Sequence, residues 1–254
     1  MDSISKNSFL FKQLVKYNFK KRYKGTVLGM IWSILYPLFD LLILVLIFTK
    51  LLGRNTPHYP IYVFCGTLLM AYFREATRDG MTCFRNNRSL ITKVKMPNYL
   101  LLISKNASSL INFALTLTIF ILLCIVDGIS INLTFILLLF PIICISLFNI
   151  GVGFILSTCY VFFRDVSYIY DLLLIIINYL SATFYNIGSF SSSVQKLFLL
   201  NPIYCYIRYF RIIVIENNIP GIELHALCLF YAVIYLSIGI LVYRKNKNKF
   251  IYNL

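Results

Sequence analysis

The chain has 254 residues, of which 59% are apolar and only 13% are charged, and its mean hydropathy is +0.80. A soluble domain is about half apolar and a quarter charged, so this composition excludes water as the main solvent of the folded chain. The formal net charge of +15 does not indicate nucleic-acid binding, because the basic residues alternate with apolar stretches and form no compact polar domain.

The first predicted element is an amphipathic helix at 6–24. Lysines recur at four-residue steps from Lys12 to Lys24, and apolar residues such as Leu10 and Leu14 lie between them. A helix with this pattern has separate basic and apolar faces, so we expect it to lie in the plane of the lipid headgroups.

Apolar stretches of about 20 residues or more follow, which is the length that a helix needs to cross a bilayer. We therefore predict an all-α integral membrane protein with one transmembrane domain over residues 1–254. Its six predicted spans are at 27–52, 59–79, 99–126, 129–162, 166–187 and 222–243.

Two segments between these spans are predicted to form helices that do not cross the membrane. The polar, basic segment 80–98 closes with Pro97 and is expected to form a short helix outside the membrane. Two apolar pieces between 188 and 221 are divided by Asn201 and Pro202, and each is too short to span. We interpret them as a re-entrant helix pair.

Pro141 is expected to mark a kink or an interfacial start in span four.

The distribution of basic residues predicts the orientation of the chain. Most of its 24 Lys and Arg residues fall in the N-terminal segment, the region 74–105, Arg164 and the C-terminal tail, which six crossings place on one side. The positive-inside rule assigns that side to the cytoplasm, so both termini are predicted to be cytoplasmic. The basic residues predicted on the opposite side are Lys50, Arg54, Lys196, Arg208 and Arg211.

Charged residues within or near the spans are the candidates for function. Asp40 lies near the middle of span one, where an ionisable group either lines an aqueous path or is satisfied by a polar group of a neighbouring helix. Glu75 and Arg78 are spaced i to i+3, which predicts a structural ion pair on the helix surface.

Tyr204, Arg208 and Arg211 are spaced to share one helical face. The guanidinium groups of the two arginines are suited to contact phosphate or an anionic sugar. Anchoring to lipid headgroups is an alternative that explains the same pattern.

No catalytic or metal-binding residue is predicted. The chain has no G-x-x-x-x-G-K-[ST] loop, so if the protein is a transporter that uses ATP, another polypeptide must bind the nucleotide. The only histidines, His58 and His225, are far apart in the sequence, and the seven cysteines form no C-x-x-C pair.

Four sequence motifs lie at residues 19–38, 86–97, 162–166 and 200–202, where the chain reads FKKRYKGTVLGMIWSILYPL, NNRSLITKVKMP, FFRDV and LNP. Together they resemble the polysaccharide and polyol-phosphate export permeases of the ABC transporter type-2 membrane family. Residues 19–38, FKKRYKGTVLGMIWSILYPL, resemble the family's F-K-x-R-Y-x-x-S-x-L-G-x-x-W-x-x-x-x-P-L. Residues 86–97, NNRSLITKVKMP, resemble N-x-x-L-I-x-K-V-x-x-P. Residues 162–166, FFRDV, resemble Y-F-R-D-I/V, and residues 200–202 match L-N-P. The chain departs from the family at 181–185, SATFY, where a proline-bearing S-P-x-F-Y is common.

The resemblance implies a homodimer of six-span subunits, with a glycan channel between the halves. Each subunit would dock through cytoplasmic coupling helices on a separate ATP-hydrolysing subunit that binds ATP and Mg. The candidate coupling residues are Arg88, Lys93, Lys95, Met96, Pro97, Arg164 and Asp165. The candidate residues of the polymer path are Trp32, Tyr36, Asp40, Tyr204, Arg208 and Arg211.

The function that these features predict is a permease that exports an undecaprenyl-linked polysaccharide across a bacterial inner membrane. O-antigen, teichoic-acid and capsule polymers are not separated by the sequence. The alternatives are an ABC exporter of drugs or small lipids, and a membrane-bound transferase, which would turn over substrate without an ATPase.

Overall fold

The computed structural model describes residues 2–23, 25, 29–46, 58–93, 96–247 and 250, and these residues contain helices and no strand. Within them the α-helices are α1 (Asp2–Tyr23), α2 (Trp32–Val45), α3 (Tyr59–Asn86), α4 (Arg88–Lys93), α5 (Tyr99–Val126), α6 (Leu139–Phe162), α7 (Val166–Leu180), α8 (Ser192–Phe198), α9 (Pro202–Val214) and α10 (Ile222–Asn246).

Among the residues that the structure describes, three helical segments are long and apolar enough to cross a membrane: Tyr99–Val126, Leu133–Phe162 and Ile222–Asn246. The bent pair α8–α9 would be a fourth if it forms one broken span. Helix α3 has 28 residues but is charged in its second half, and α2 and α7 have 14 and 15 residues. The chain is therefore a helical, multi-pass membrane protein, and the count of six spans stays a prediction. Residues 27–28 and 47–52 of predicted span one lie outside the described residues.

Helix α3 begins next to a left-handed residue and continues further than expected. His58 has φ +55° and precedes Tyr59 and Pro60 in the first turn, where the missing N–H of a proline costs no hydrogen bond.

The separate helix predicted over 80–98 is shorter than expected. Residues up to Asn86 continue α3 because Met81 and Phe84 are buried in the core, and only α4 forms a separate short helix.

The boundaries of α5 and α6 follow local signals in the sequence. Helix α5 ends at Asp127 and Gly128, and Gly128 has φ +81°, a conformation that glycine adopts without steric cost. A 3₁₀ turn over Leu133–Leu138 leads into α6. Pro141 falls in the first turn of α6, so it belongs to the start of the helix rather than to a kink.

Helix α7 ends earlier than the predicted limit of residue 187. It stops at Leu180, and residues 181–185 form turns in which Ala182 has φ +50°. Proline cannot adopt a positive φ, so the alanine at this position fits a backbone that the family's proline would not allow.

Two short helices, α8 and α9, follow α7 and are bent by 107° at the break between them. The side chain of Asn201 caps α9 by accepting from the backbone N–H groups of Ile203 and Tyr204. Pro202 takes the first helical position. Most residues of α9 are buried, so this helix lies inside the bundle rather than on its surface.

Helices α6 and α10 approach each other closely enough to exclude side chains. A Cβ atom on Gly151 would overlap the backbone of Tyr235 and Leu236, and a Cβ atom on Gly239 would overlap the carbonyl of Gly151. Small residues at such positions allow helix backbones to pack in direct contact.

The N-terminal helix α1 packs against the end of the bundle formed by α3, α5 and α10. Leu14 is buried there with Phe84 and Tyr243, and the Asn18 side chain donates to Ser104 Oγ at 3.2 Å. Lys12, Lys16 and Lys20 are exposed. The location of α1 in the headgroup plane stays a prediction, and Lys24 lies outside the described residues.

Candidate functional site

The first candidate site is a cavity of about 540 Å³ beside α2, which we call the α2 cavity. It brings together the three predicted path residues of span one, Trp32, Tyr36 and Asp40, all of which are exposed on α2. Helices α3 and α5 form the opposite wall. The other lining residues are Arg22, Phe64, Thr67, Leu68, Ala71, Tyr72, Arg74, Glu75, Arg78, Asp79, Ser109, Asn112, Phe113 and Thr116.

An ionic network closes the α2 cavity at the end where α1 packs. Arg22 of α1 donates to Glu75 at 2.5 Å and to Asp79 at 3.3 Å. Lys105 lies 3.9 Å from Asp79, and Asn112 donates to Glu75 at 2.9 Å. The network therefore ties the C-terminal turn of α1 to α3 and α5.

The predicted ion pair between Glu75 and Arg78 was wrong. Arg78 donates to Asp171 of α7 at 2.8 Å, whereas Glu75 binds Arg22 and Asn112. Both residues thus join α3 to other helices, which provide acceptors and donors that a sequence spacing of three residues does not reveal.

Polar side chains continue from the wall of the α2 cavity into the bundle. Tyr72 donates to Asn106 Oδ1 at 3.2 Å and lies 2.9 Å from Ser146 Oγ. Within the described part of the chain, Ser109 Oγ and both polar side-chain atoms of Asn149 are buried without a hydrogen-bond partner. Because buried polar atoms are costly when unpaired, the side of the cavity formed by Ser109 is suited to bind hydroxyl groups or water.

The second candidate site is a cavity of about 1060 Å³ at the start of α3 and along α9, which we call the α9 cavity. It brings together Tyr204, Arg208 and Arg211, as their shared helical face predicts. The remaining lining residues are Tyr59, Tyr62, Tyr185, Asn186, Ile187, Gly188, Phe190, Gln195, Ile215 and Glu216.

Arg211 is 3% exposed and binds the backbone of two other segments. Its guanidinium donates to the carbonyl oxygen of Tyr62 at 3.2 and 3.3 Å, to that of Ala182 at 2.9 Å and to that of Thr183 at 2.8 Å. The guanidinium carbon also lies 3.5 Å from the centroid of the Tyr62 ring, a cation–π contact. Arg211 thus joins the start of α3, the turn after α7 and α9.

This geometry corrects one interpretation of the arginine face. Anchoring to lipid headgroups does not explain Arg211, because its donors are used within the protein and its side chain is buried. Arg208 is half-exposed and forms an ion pair with Glu216, so it keeps access to the cavity.

The residues that complete the α9 cavity were not predicted from the sequence. Tyr59 and Tyr62 stack with 6.3 Å between ring centroids, and their hydroxyls donate to the carbonyl oxygens of Phe184 and Tyr185. Tyrosine and tryptophan are common at the membrane interface of any membrane protein, so the presence of these tyrosines did not by itself indicate a cavity. The i to i+3 spacing of the two tyrosines was the available signal that they share a face.

The described candidate coupling residues follow the ends of two helices that pack together, α3 and α6. Arg85 at the end of α3 lies over the ring of Tyr160 at the end of α6, 5.6 Å from its centroid, so the loops that follow these helices are neighbours. Arg88 and Lys93 are exposed on α4, and Met96 and Pro97 are half-buried. Arg164 and Asp165 are exposed in the turn between α6 and α7. Lys95 lies outside the described residues.

Comparison with known proteins places the whole arrangement in one family. The chain is 30% identical to the O-antigen export system permease protein RfbA of Myxococcus xanthus over 220 residues, which cover 84% of this chain and 83% of that protein. It is 24% identical to a protein of the same name from Klebsiella pneumoniae over 247 residues, or 95% of each chain. The profile of the ABC-2 type transporter family matches residues 9–215, and the chain belongs to that family.

Proposed function

We propose that this chain is the permease subunit of an ATP-driven exporter that moves lipid-linked polysaccharide across a bacterial inner membrane. The observation that carries the proposal is the similarity to O-antigen export permeases along most of the chain. We propose an O-antigen type of polymer, with teichoic-acid and capsule polymers as close variants.

The chemistry of the two cavities supports a sugar polymer as cargo. Sugar rings stack on aromatic side chains through their apolar faces, and their hydroxyls need hydrogen-bond partners. The α2 cavity offers Trp32 and Tyr36 beside Asp40. The α9 cavity offers Tyr185 and Phe190 with polar side chains around them.

We also propose that two copies of the chain pair through α2 and α7. Both helices carry large apolar side chains that the single chain leaves exposed, such as Tyr36 and Phe39 on α2 and Tyr168 and Leu172 on α7. Helix α7 buries only Tyr170 and Leu174. A polymer path bordered by α2 would then run between the two copies.

A separate ATP-binding chain completes the proposed transporter. The exposed residues of α4 and the turn at Arg164 and Asp165 lie at one end of the bundle, where a partner can contact both at once. In the proposed topology of six spans this end faces the cytoplasm together with both termini, because it carries the larger share of basic residues.

The test is polysaccharide export in cells that lack this chain. Surface polysaccharide should disappear in a deletion strain, should return with the wild-type chain, and should not return when the partner ATPase carries an inactive phosphate loop. Normal surface polysaccharide in the deletion strain, with increased sensitivity to drugs, would instead support an exporter of small molecules. Turnover of a lipid-linked substrate by the purified chain without any ATPase would support a transferase.

A further inference from the structure

The charges that line the α2 cavity balance one another. The described residues of the lining include three arginines and three carboxylates, which are Arg22, Arg74, Arg78, Asp40, Glu75 and Asp79. Lys105 and Asp171, which pair with two of these residues from outside the lining, also cancel each other. An occupant of the α2 cavity therefore meets no excess of either charge from this part of the chain.

Two of these six side chains have no ionic partner among the described residues. Arg22 is paired with both carboxylates of α3, and Arg78 is paired with α7. Within the part of the chain that the structure describes, neither Asp40 nor Arg74 lies at ion-pair distance from an opposite charge. Both are exposed, Asp40 on α2 and Arg74 on the wall formed by α3. The cavity thus offers a carboxylate that can accept hydrogen bonds and a separate guanidinium that can donate them.

Exposed aromatic rings lie next to these polar groups. Trp32, Tyr36 and Asp40 are spaced at four-residue steps, so they follow one another along one face of α2. The two aromatic residues are 45% and 69% exposed, and such rings stack on the apolar faces of sugars. On the α5 side, the buried hydroxyl of Ser109 has no partner among the described residues, and a hydroxyl of an occupant would provide one.

A neutral sugar fits this arrangement better than an anionic one. Each sugar hydroxyl both donates and accepts hydrogen bonds, so hydroxyls of one occupant can donate to Asp40 and accept from Arg74. A phosphate or carboxylate is attracted by Arg74 but repelled by Asp40, and the two Coulomb energies oppose each other. The large cost of removing the anion from water is then not offset.

We propose that the α2 cavity binds an uncharged sugar unit of the polymer, which stacks on Trp32 and Tyr36 and is held by Asp40 and Arg74. This inference rests on the proposed function and narrows it, because it makes the cargo a polymer with neutral repeat units rather than a polyol phosphate. The α9 cavity does not oppose it, since both of its guanidinium groups are bound to acceptors of the protein itself.

The first test is the charge of the polymer that the chain exports. The surface polysaccharide that is lost in the deletion strain and restored by the wild-type chain is purified, and its repeat unit is assayed for phosphate and uronic acid. We expect neither. A phosphate or carboxylate in every repeat would overturn the inference and leave the proposed function standing. Unchanged polysaccharide in the deletion strain would overturn both.

The second test is binding of matched probes to the transporter purified with its ATPase. Fragments of the polymer are either hydroxyethylated or carboxymethylated, so that the two probes differ in charge more than in size. Trp32 is the one tryptophan of the chain, and its fluorescence reports binding after the signal of a Trp32→Phe complex is subtracted. We expect the neutral probe to bind at least about tenfold more tightly. Arg74→Gln should weaken its binding about tenfold, which corresponds to one hydrogen bond from a charged donor.

Charge variants outside the cavity separate the site from a general effect of charge. Asp40→Asn should reduce the preference for the neutral probe, because the amide no longer repels a carboxylate. Arg244→Gln and Glu223→Gln, both at exposed positions of α10, are the matched controls, and all four variants should elute as the intact complex. The inference is overturned if wild type binds neither probe or binds both equally. It is also overturned if Arg74→Gln and Asp40→Asn have no more effect than their controls.

Discussion

Replacing Arg211 by lysine tests whether this arginine is a structural clamp. The guanidinium makes four hydrogen bonds to carbonyl oxygens of three residues, two of which lie in the turn after α7. The ammonium group of lysine is a single point of charge on a flexible stem and cannot reach these acceptors in one plane. We expect Arg211→Lys to lose at least two of the hydrogen bonds.

The expected loss of stability is large because the site is buried. A hydrogen bond from a charged donor contributes about 1.5–3 kcal/mol, so the loss of two destabilises by roughly 3–6 kcal/mol. For a domain of this size each kcal/mol corresponds to about 2–4 °C in Tm, so we expect a decrease of roughly 6–24 °C. Arg208→Lys is the matched control, since Arg208 forms a half-exposed pair with Glu216 that contributes about 0–1 kcal/mol.

The assay is thermal unfolding of the purified complex, together with surface polysaccharide in cells at matched membrane abundance of the variants. Equal Tm values for the two lysine variants would refute the clamp. A normal Tm with lost export in Arg211→Lys would mean that the guanidinium acts on the polymer directly. Normal export in a double alanine variant of Arg208 and Arg211 would remove both arginines from the polymer path.

Three further predictions concern packing, capping and topology. Gly239→Leu should prevent stable folding, because its side chain would enter the backbone of Gly151, and an unchanged yield of folded protein in size-exclusion chromatography would contradict this. Asn201→Ala should lower the free energy of unfolding by about 1 kcal/mol through loss of the cap of α9, whereas an unchanged Tm would show that the cap contributes nothing. A cysteine at Leu90, in a chain without its native cysteines, should react with an impermeant maleimide only after the cells are opened. Labelling of intact cells would refute the proposed topology.

Local signals in the sequence predicted the ends of several helices well. Span three and α5 have the same bounds, because Asp127 and Gly128 stop a helix without help from other segments. The division at Asn201 and Pro202 was also visible, since the cap and the proline act on the helix that they begin.

Features that depend on tertiary contacts could not be predicted in the same way. The spacing of Arg211 gave its neighbours on one helix, but its partners are carbonyl oxygens at Tyr62 and Thr183, and every residue has a carbonyl. The pairing of Arg78 with Asp171 likewise required the packing of α7 beside α3. The early end of α7 depends on the left-handed backbone at Ala182, a residue type that does not signal this conformation.

The contact between Gly151 and Gly239 has a consequence for how the bundle can move. Helices whose backbones touch have little room to rotate against each other without steric overlap, so we expect α6 and α10 to move together. Helix α7 leaves most of its large apolar side chains exposed, and so does the described part of α2. If transport widens a passage, we expect these two helices to take up the displacement, with the α6–α10 pair as the frame against which they move and with the hydrogen bond from Arg78 to Asp171 broken or carried along as α7 moves.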